Sequence, residues 1–442
     1  MKISSSTKIG VLLLLLLFPA YRPVQGAEVV GLYTAAYEDR QLRDGHRESI
    51  LVNYLSFDAE RLAVANLSLH GFGKYAHEWR DGDSATSLYY LYGNHRTFEG
   101  RSELQFGRFP LESHRFLTLD GLHLTMRPDS PWGYALYAGQ PRYMEIHEER
   151  LERQFRDSGD YLFGARTFLR GVEGLRANAS YSREGGGGDL YREIIGIGGG
   201  KDFFIPRRQI RGDDDDEMVL ALDGSLDYNP DRAVLDQLTA RLFLLYSSRL
   251  RAVLQADRFD VRDDYPPDRE LIISLFSTGR EDRAKYTVTY DLRPEISLYQ
   301  GAVYTELELP DGSWRQGWII KGGVGGNFRE TRGLGFDAGL YYFDSHLAEA
   351  TGLALSVDYQ PTVVWNLRLG LEAVKLNAPF RERDHARTYS AELTYRPGVA
   401  WQLAGYLEQS DNPEYRSDFR SGLRLDYHFG FALNRAPQKV GP

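Results

Sequence analysis

Residues 419–431 read Phe-Arg-Ser-Gly-Leu-Arg-Leu-Asp-Tyr-His-Phe-Gly-Phe. Leu423, Leu425, Tyr427, Phe429 and Phe431 alternate there with Arg424, Asp426, His428 and Gly430. Successive side chains of an extended strand point to opposite faces, so this stretch has one apolar and one polar side. The same period recurs upstream. Tyr389, Ala391, Leu393 and Tyr395 oppose Ser390, Glu392, Thr394 and Arg396. Trp365, Leu367, Leu369 and Leu371 oppose Asn366, Arg368, Gly370 and Glu372, and Tyr286, Val288, Tyr290 and Leu292 oppose Lys285, Thr287, Thr289 and Asp291. Two further repeats lie at 315–328 and 333–343. Helical spacing is rare by comparison.

The links between these segments form two sets. Tight links carry turn residues: 127–133, 247–249, 293–295, 360–362 and 396–398. Longer polar links lie at 308–315, 343–352, 376–387 and 409–418. Such sorting is expected of a transmembrane barrel, with short turns at one rim and longer loops at the other. Strict up-and-down alternation, counted back from Phe431, predicts about 22 strands, within a range of 16 to 22, the first near Val29–Tyr37.

The N-terminus sets the compartment. Lys2 and Lys8 precede the apolar run Ile9–Phe18, and Val24-Gln25-Gly26 supplies small residues at a cleavage site. This is the secretory signal pattern, over 1–26, and the apolar run is too short to span a bilayer as a helix. No later apolar run reaches the length a spanning helix needs. An exported chain of this kind enters a membrane only as a closed sheet, because every backbone N–H and C=O needs an internal partner in lipid. Its outward face needs aromatic rims, which accounts for 29 Tyr, 22 Phe and 6 Trp in 442 residues. A soluble propeller or solenoid would show a fixed sequence repeat instead, and none is found.

The closing strand LRLDYHFGF resembles the C-terminal assembly signal of Gram-negative outer-membrane β-barrels of the porin type. The stretch GRFPLESHRFLTLDGLHLTMRP (107–128) is similar to the G-R…D-G-L hairpins of porin-like proteins. The resemblance covers 28–431 and implies an all-β, single transmembrane up-and-down antiparallel barrel over 27–431. It implies location in the outer membrane and insertion by the barrel-assembly machinery through Leu423, Leu425, Tyr427, Phe429 and Phe431. A periplasmic tail, 432–442, departs from the usual pattern, in which the final Phe ends the chain.

Composition excludes several functions. With no cysteine there is no disulfide, thiolate metal site or C-x-x-C-H haem attachment. A formal net charge of −9 argues against a nucleic-acid partner bound through its phosphates. Neither G-x-S-x-G nor H-E-x-x-H occurs, and the ten His show no ligand spacing, so no catalytic residue, metal or cofactor is expected. Arg207, Arg208 and Arg211, followed by Gly212, Asp213–Asp216 and Glu217, form a charge switch that reads as a solvated periplasmic link.

The polar faces supply the candidate pore lining: Arg241, Arg251, Asp257, Lys285, Asp291, Arg368, Glu372, Glu392, Arg396, Arg424 and Asp426. These charges either line a hydrated pore or pair across strands to stabilise the wall. Residues 141–159 have helical spacing, with Met144, Leu151 and Phe155 on one side, and are the candidate constriction loop. The expected function is a porin-like channel for passive diffusion of small hydrophilic solutes. The alternative is a sleeve holding a periplasmic or multihaem cytochrome, because a tube this wide leaks unless loops or a guest fill it.

Overall fold

The computed structural model describes residues 27–41, 47–62, 66–80, 82–97, 100–111, 117–127, 130–143, 160–186, 189–205, 218–260, 280–309, 312–328, 333–344, 349–380, 383–411 and 417–433. They form one sheet of 22 strands. In chain order these are β1 (Ala27–Gln41), β2 (Arg47–Glu60), β3 (Leu67–Glu78), β4 (Ser84–Thr97), β5 (Ser102–Pro110), β6 (Leu117–Met126), β7 (Trp132–Tyr143) and β8 (Tyr161–Val172). The wall continues through β9 (Leu175–Gly186), β10 (Asp189–Ile205), β11 (Met218–Asn229), β12 (Val234–Ser247), β13 (Leu250–Asp260), β14 (Arg280–Arg293) and β15 (Ile296–Glu308). It ends with β16 (Trp314–Phe328), β17 (Leu334–Asp344), β18 (Glu349–Thr362), β19 (Trp365–Phe380), β20 (Arg383–Tyr395), β21 (Trp401–Asp411) and β22 (Asp418–Leu433).

Each strand pairs antiparallel with its sequence neighbours, and β1 pairs with β22 from Ala27↔Leu433 to Arg40↔Arg420. That last pairing removes both sheet edges, so the ladder closes on itself. A closed ladder of this strand number is roughly 40 Å across between backbone walls. No helix among the described residues is long and apolar enough to cross a membrane.

Register assigns the two faces. Across the seam, Ala35, Leu425, Leu403, Tyr395 and Trp365 are successive partners, and so are Ala36, Arg424, Ala404 and Thr394. The first row belongs to a face that leaves Leu55, Leu122, Leu136, Ile197, Leu254, Leu340 and Leu423 exposed. So much bare apolar surface is tolerable only against lipid, which makes this the outer face. Aromatic pairs border it at both rims. Trp365–Tyr395 (ring centroids 4.4 Å apart) and Trp401–Tyr427 (4.1 Å) lie near the rim carrying the termini, and Tyr304–Trp318 (4.6 Å) near the other.

Four expectations change. The link predicted at 376–387 is mostly strand: β19 runs to Phe380 and β20 restarts at Arg383. Strands of 13 to 16 residues here exceed the roughly ten needed to cross lipid, so polar ladder residues stand above the apolar band and look like loop in the sequence. The helical reading of 141–159 fails at its start, where 141–143 complete β7; Met144, Leu151 and Phe155 lie outside the described residues. Arg396 is a turn residue beyond the end of β20. The closing strand continues past Phe431 to Leu433, because Ala27 at the start of β1 still offers it a partner. The charge switch at 207–217 also lies outside the described residues.

Candidate functional site

Ten of the eleven charged candidates lie within strands on the inner face. Arg176, Gly200, Asp223, Arg241, Gln255 and Lys285 are successive partners across β9–β14, and Asp358, Arg368 and Glu392 across β18–β20. Most of these charges are engaged with neighbours. Arg251 Nη2 reaches both Asp291 oxygens at 3.2 Å. Asp257 accepts from Arg283 Nη2 at 3.0 Å and Gln255 Nε2 at 2.9 Å, and its side chain is only 2% exposed. That degree of burial makes Asp257 a brace of the wall rather than a charge seen by solute.

Arg368 contacts Asp358 at 3.3 Å, Arg424 contacts Asp426 at 3.0 Å, and Thr34 donates to the other Asp426 oxygen at 2.7 Å. Glu392 accepts from Thr394, Glu372 accepts from the Tyr341 hydroxyl, and Arg396 donates to Gln402 from its turn. Arg241 and Lys285 differ: among the described residues neither has an ion-pair partner, and the same holds for Lys321 on β16. The wall over β12–β16 therefore carries uncompensated positive charge between neutralised pairs.

Glycine keeps this side of the wall thin. Tyr299 lies against Gly323 and Gly339, where any Cβ would meet its hydroxyl, and it donates to Asp337 at 2.8 Å. The ring is thereby held to the wall instead of projecting into the lumen.

Across the barrel, on β2–β7, the inner face is aromatic. Tyr54 stacks on Phe72 (6.1 Å), Phe72 contacts Tyr89 (4.9 Å) and Tyr90 (5.7 Å), and Tyr90 contacts Tyr92 (5.9 Å). Tyr92 then meets His70 (4.9 Å) and Phe109 (6.4 Å), followed by Phe109–His123 (5.9 Å) and His123–Tyr137 (6.2 Å). A β-bulge between Phe72/Gly73 and Tyr90/Leu88 leaves Tyr89 as the extra residue, so two consecutive tyrosines both touch Phe72. At one end the rings join a buried cluster of Phe109, Leu111, Leu117, Leu119, Tyr137 and Leu162; at the other, Tyr54, Phe72 and Tyr90 remain half-exposed.

The sequence reading missed this row. On β2–β7 the outer positions are apolar (Leu55, Leu91, Phe106, Leu122, Leu136) and the inner ones mix rings with polar residues such as Asp58, His70 and Gln105, so alternation does not single the rings out. The only signal was the density of Tyr and Phe, which also fits a lipid-facing rim.

Closed ladder, lipid-compatible outer face and charged inner wall define a transmembrane β-barrel with a hydrated interior. No family model matches the sequence, and no curated protein matches it. Among solved structures, the chain is similar to OccK5 (OpdH) of Pseudomonas aeruginosa, with TM-score 0.46 and 11% identity over 92% of this chain and 98% of that one. It is also similar to P. aeruginosa OpdK with vanillate (TM-score 0.45, 11% identity, 92% and 99% covered) and to the P pilus usher PapC translocation pore (TM-score 0.45, 9% identity, 92% and 100% covered).

Proposed function

We propose that the protein is an outer-membrane channel through which small hydrophilic solutes diffuse passively. The observation that carries this reading is the two-faced register of a sealed ladder. The outer rows are apolar, and the inner rows over β8–β22 carry charged, hydroxylated and amide side chains. A wall of that kind seats in lipid on one side and keeps water on the other. Export through the leader at 1–26 and insertion by the barrel-assembly machinery through Leu423–Phe431 belong to the same reading.

The inner charges act mainly in pairs. Exposed ion pairs contribute about 0–1 kcal/mol each and cancel one another's field at a distance. The lining therefore selects weakly by charge: Arg241, Lys285 and Lys321 on one side of the wall, and Glu372 and Glu392 on another, are the inner charges that no ion pair offsets among the described residues. No feature of the described residues favours the alternative of a sleeve around a cytochrome. Reconstitution in planar bilayers tests the proposal: steady ohmic steps in KCl are expected. A barrel that inserts without conducting, or that is stable only with a haem protein bound, would overturn it.

A further inference from the structure

The aromatic row on β2–β7 faces the lumen at a place where a plain water channel needs none. Bare rings in a hydrated interior are unfavourable unless something covers them. The buried cluster around Phe109 accounts for one end of the row as wall packing. Tyr92 packs against that cluster, but the cluster does not account for Tyr54, Phe72 and Tyr90, which lie half-exposed on the inner face. Six strands at their usual spacing give the row a reach of about 24 Å, long enough for several consecutive ring-sized units.

The polar groups beside the rings indicate what such units carry. His70 is held between Asp58 (2.5 Å) and Ser68 (2.8 Å) while stacking on Tyr92. Glu103 accepts from Asn94 at 2.8 Å and from Gln105 at 3.4 Å, and Gln105 meets His123 at 3.1 Å. Carboxylates, amides and imidazoles at the edge of aromatic faces suit hydroxyl groups, which both donate and accept. They do not suit an anion. Of the cations on these strands' inner face, Arg96 lies 4.0 Å from Glu103 and Lys74 stands only at the Tyr54 end. Uncompensated positive charge lies instead on β12–β16, half a turn of the barrel away.

We infer that this row is a docking track for neutral saccharide chains, whose C–H faces stack on Tyr54, Phe72 and Tyr90 while Asp58, Glu103 and Gln105 take their hydroxyls. The inference rests on the channel reading above and assigns it a solute class. Several adjacent weak stacking positions let a chain slide from one ring to the next without being trapped.

Single-channel recording with maltohexaose as probe tests the track. In the open channel, added maltohexaose is expected to cause brief current interruptions whose duration lengthens from three to six sugar units. Tyr90→Ala or Phe72→Ala is expected to shorten them about tenfold. Phe72→Leu, which keeps an apolar side chain and most of the volume but loses the ring, guards against a folding defect and is expected to behave like the alanine variant. Uninterrupted current at all sugar lengths, interruption indifferent to these substitutions, or interruption by benzoate but not by maltohexaose would overturn the saccharide track while leaving the channel standing. Absence of any current would instead remove the channel itself.

Discussion

Arg108 and Asp120 face each other across the β5–β6 hairpin as register partners, with Arg108 Nε and Nη2 donating to the two carboxylate oxygens at 2.6 and 2.8 Å. Arg142 on β7 adds a third donor at 3.0 Å, and Arg108 Nη1 also reaches the Leu88 carbonyl. One carboxylate thus ties three neighbouring strands together on the outer face near the rim remote from the termini. These are the Arg and Asp of the G-R…D-G-L stretch, and here the motif is a strand clamp.

Removing the shared partner is the sensitive change. Asp120→Ala leaves two half-buried guanidiniums without their carboxylate, and we expect a loss of about 2 kcal/mol. Arg142→Ala, which leaves the bidentate pair intact, should cost no more than about 1 kcal/mol. Urea unfolding followed by the gel mobility of the folded barrel reads both. Equal midpoints for the two variants would contradict the clamp.

Charge selectivity should respond differently at paired and unpaired inner positions. Lys285→Glu reverses an uncompensated charge and is expected to move the reversal potential toward cation preference, with the unfolding midpoint unchanged. Arg368→Glu and Arg424→Glu should act in the same direction, each also placing a carboxylate beside Asp358 or Asp426. All three effects should be clear near 0.1 M KCl and fade near 1 M, where the screening length falls from about 10 Å to about 3 Å. Reversal potentials unmoved at low salt would remove these residues from the solute path.

Gly107 offers a backbone test beside the aromatic row. It pairs with Tyr92 at a φ of 110°, and a Cβ there would lie 2.6 Å from the Leu91 carbonyl oxygen. Gly107→Ala is therefore expected to destabilise the β4–β5 pairing by about 1–3 kcal/mol. Thermal loss of the fast-migrating folded form should occur at a lower temperature than in the parent chain. An unchanged transition would mean that this φ is not required.

The architecture is legible in the chain alone. Period-two alternation at 284–292, 363–375, 387–396 and 419–431 is a local property of strands with one side in lipid and one in water, so it is legible without any knowledge of pairing. The strand count and the inner position of residues such as Arg241, Lys285 and Arg424 follow from that alternation alone. Tertiary structure decided everything that depends on register. Only pairing shows that Asp257 is buried beneath Arg283 while Lys285 stays unpaired, since both read as polar-face charges in the chain. Only pairing brings Tyr54, Phe72, Tyr92 and Tyr137, dispersed over more than eighty residues, into one row. Alternation records which side of its own strand a residue occupies, and nothing local to a strand records which neighbours closure will set beside it.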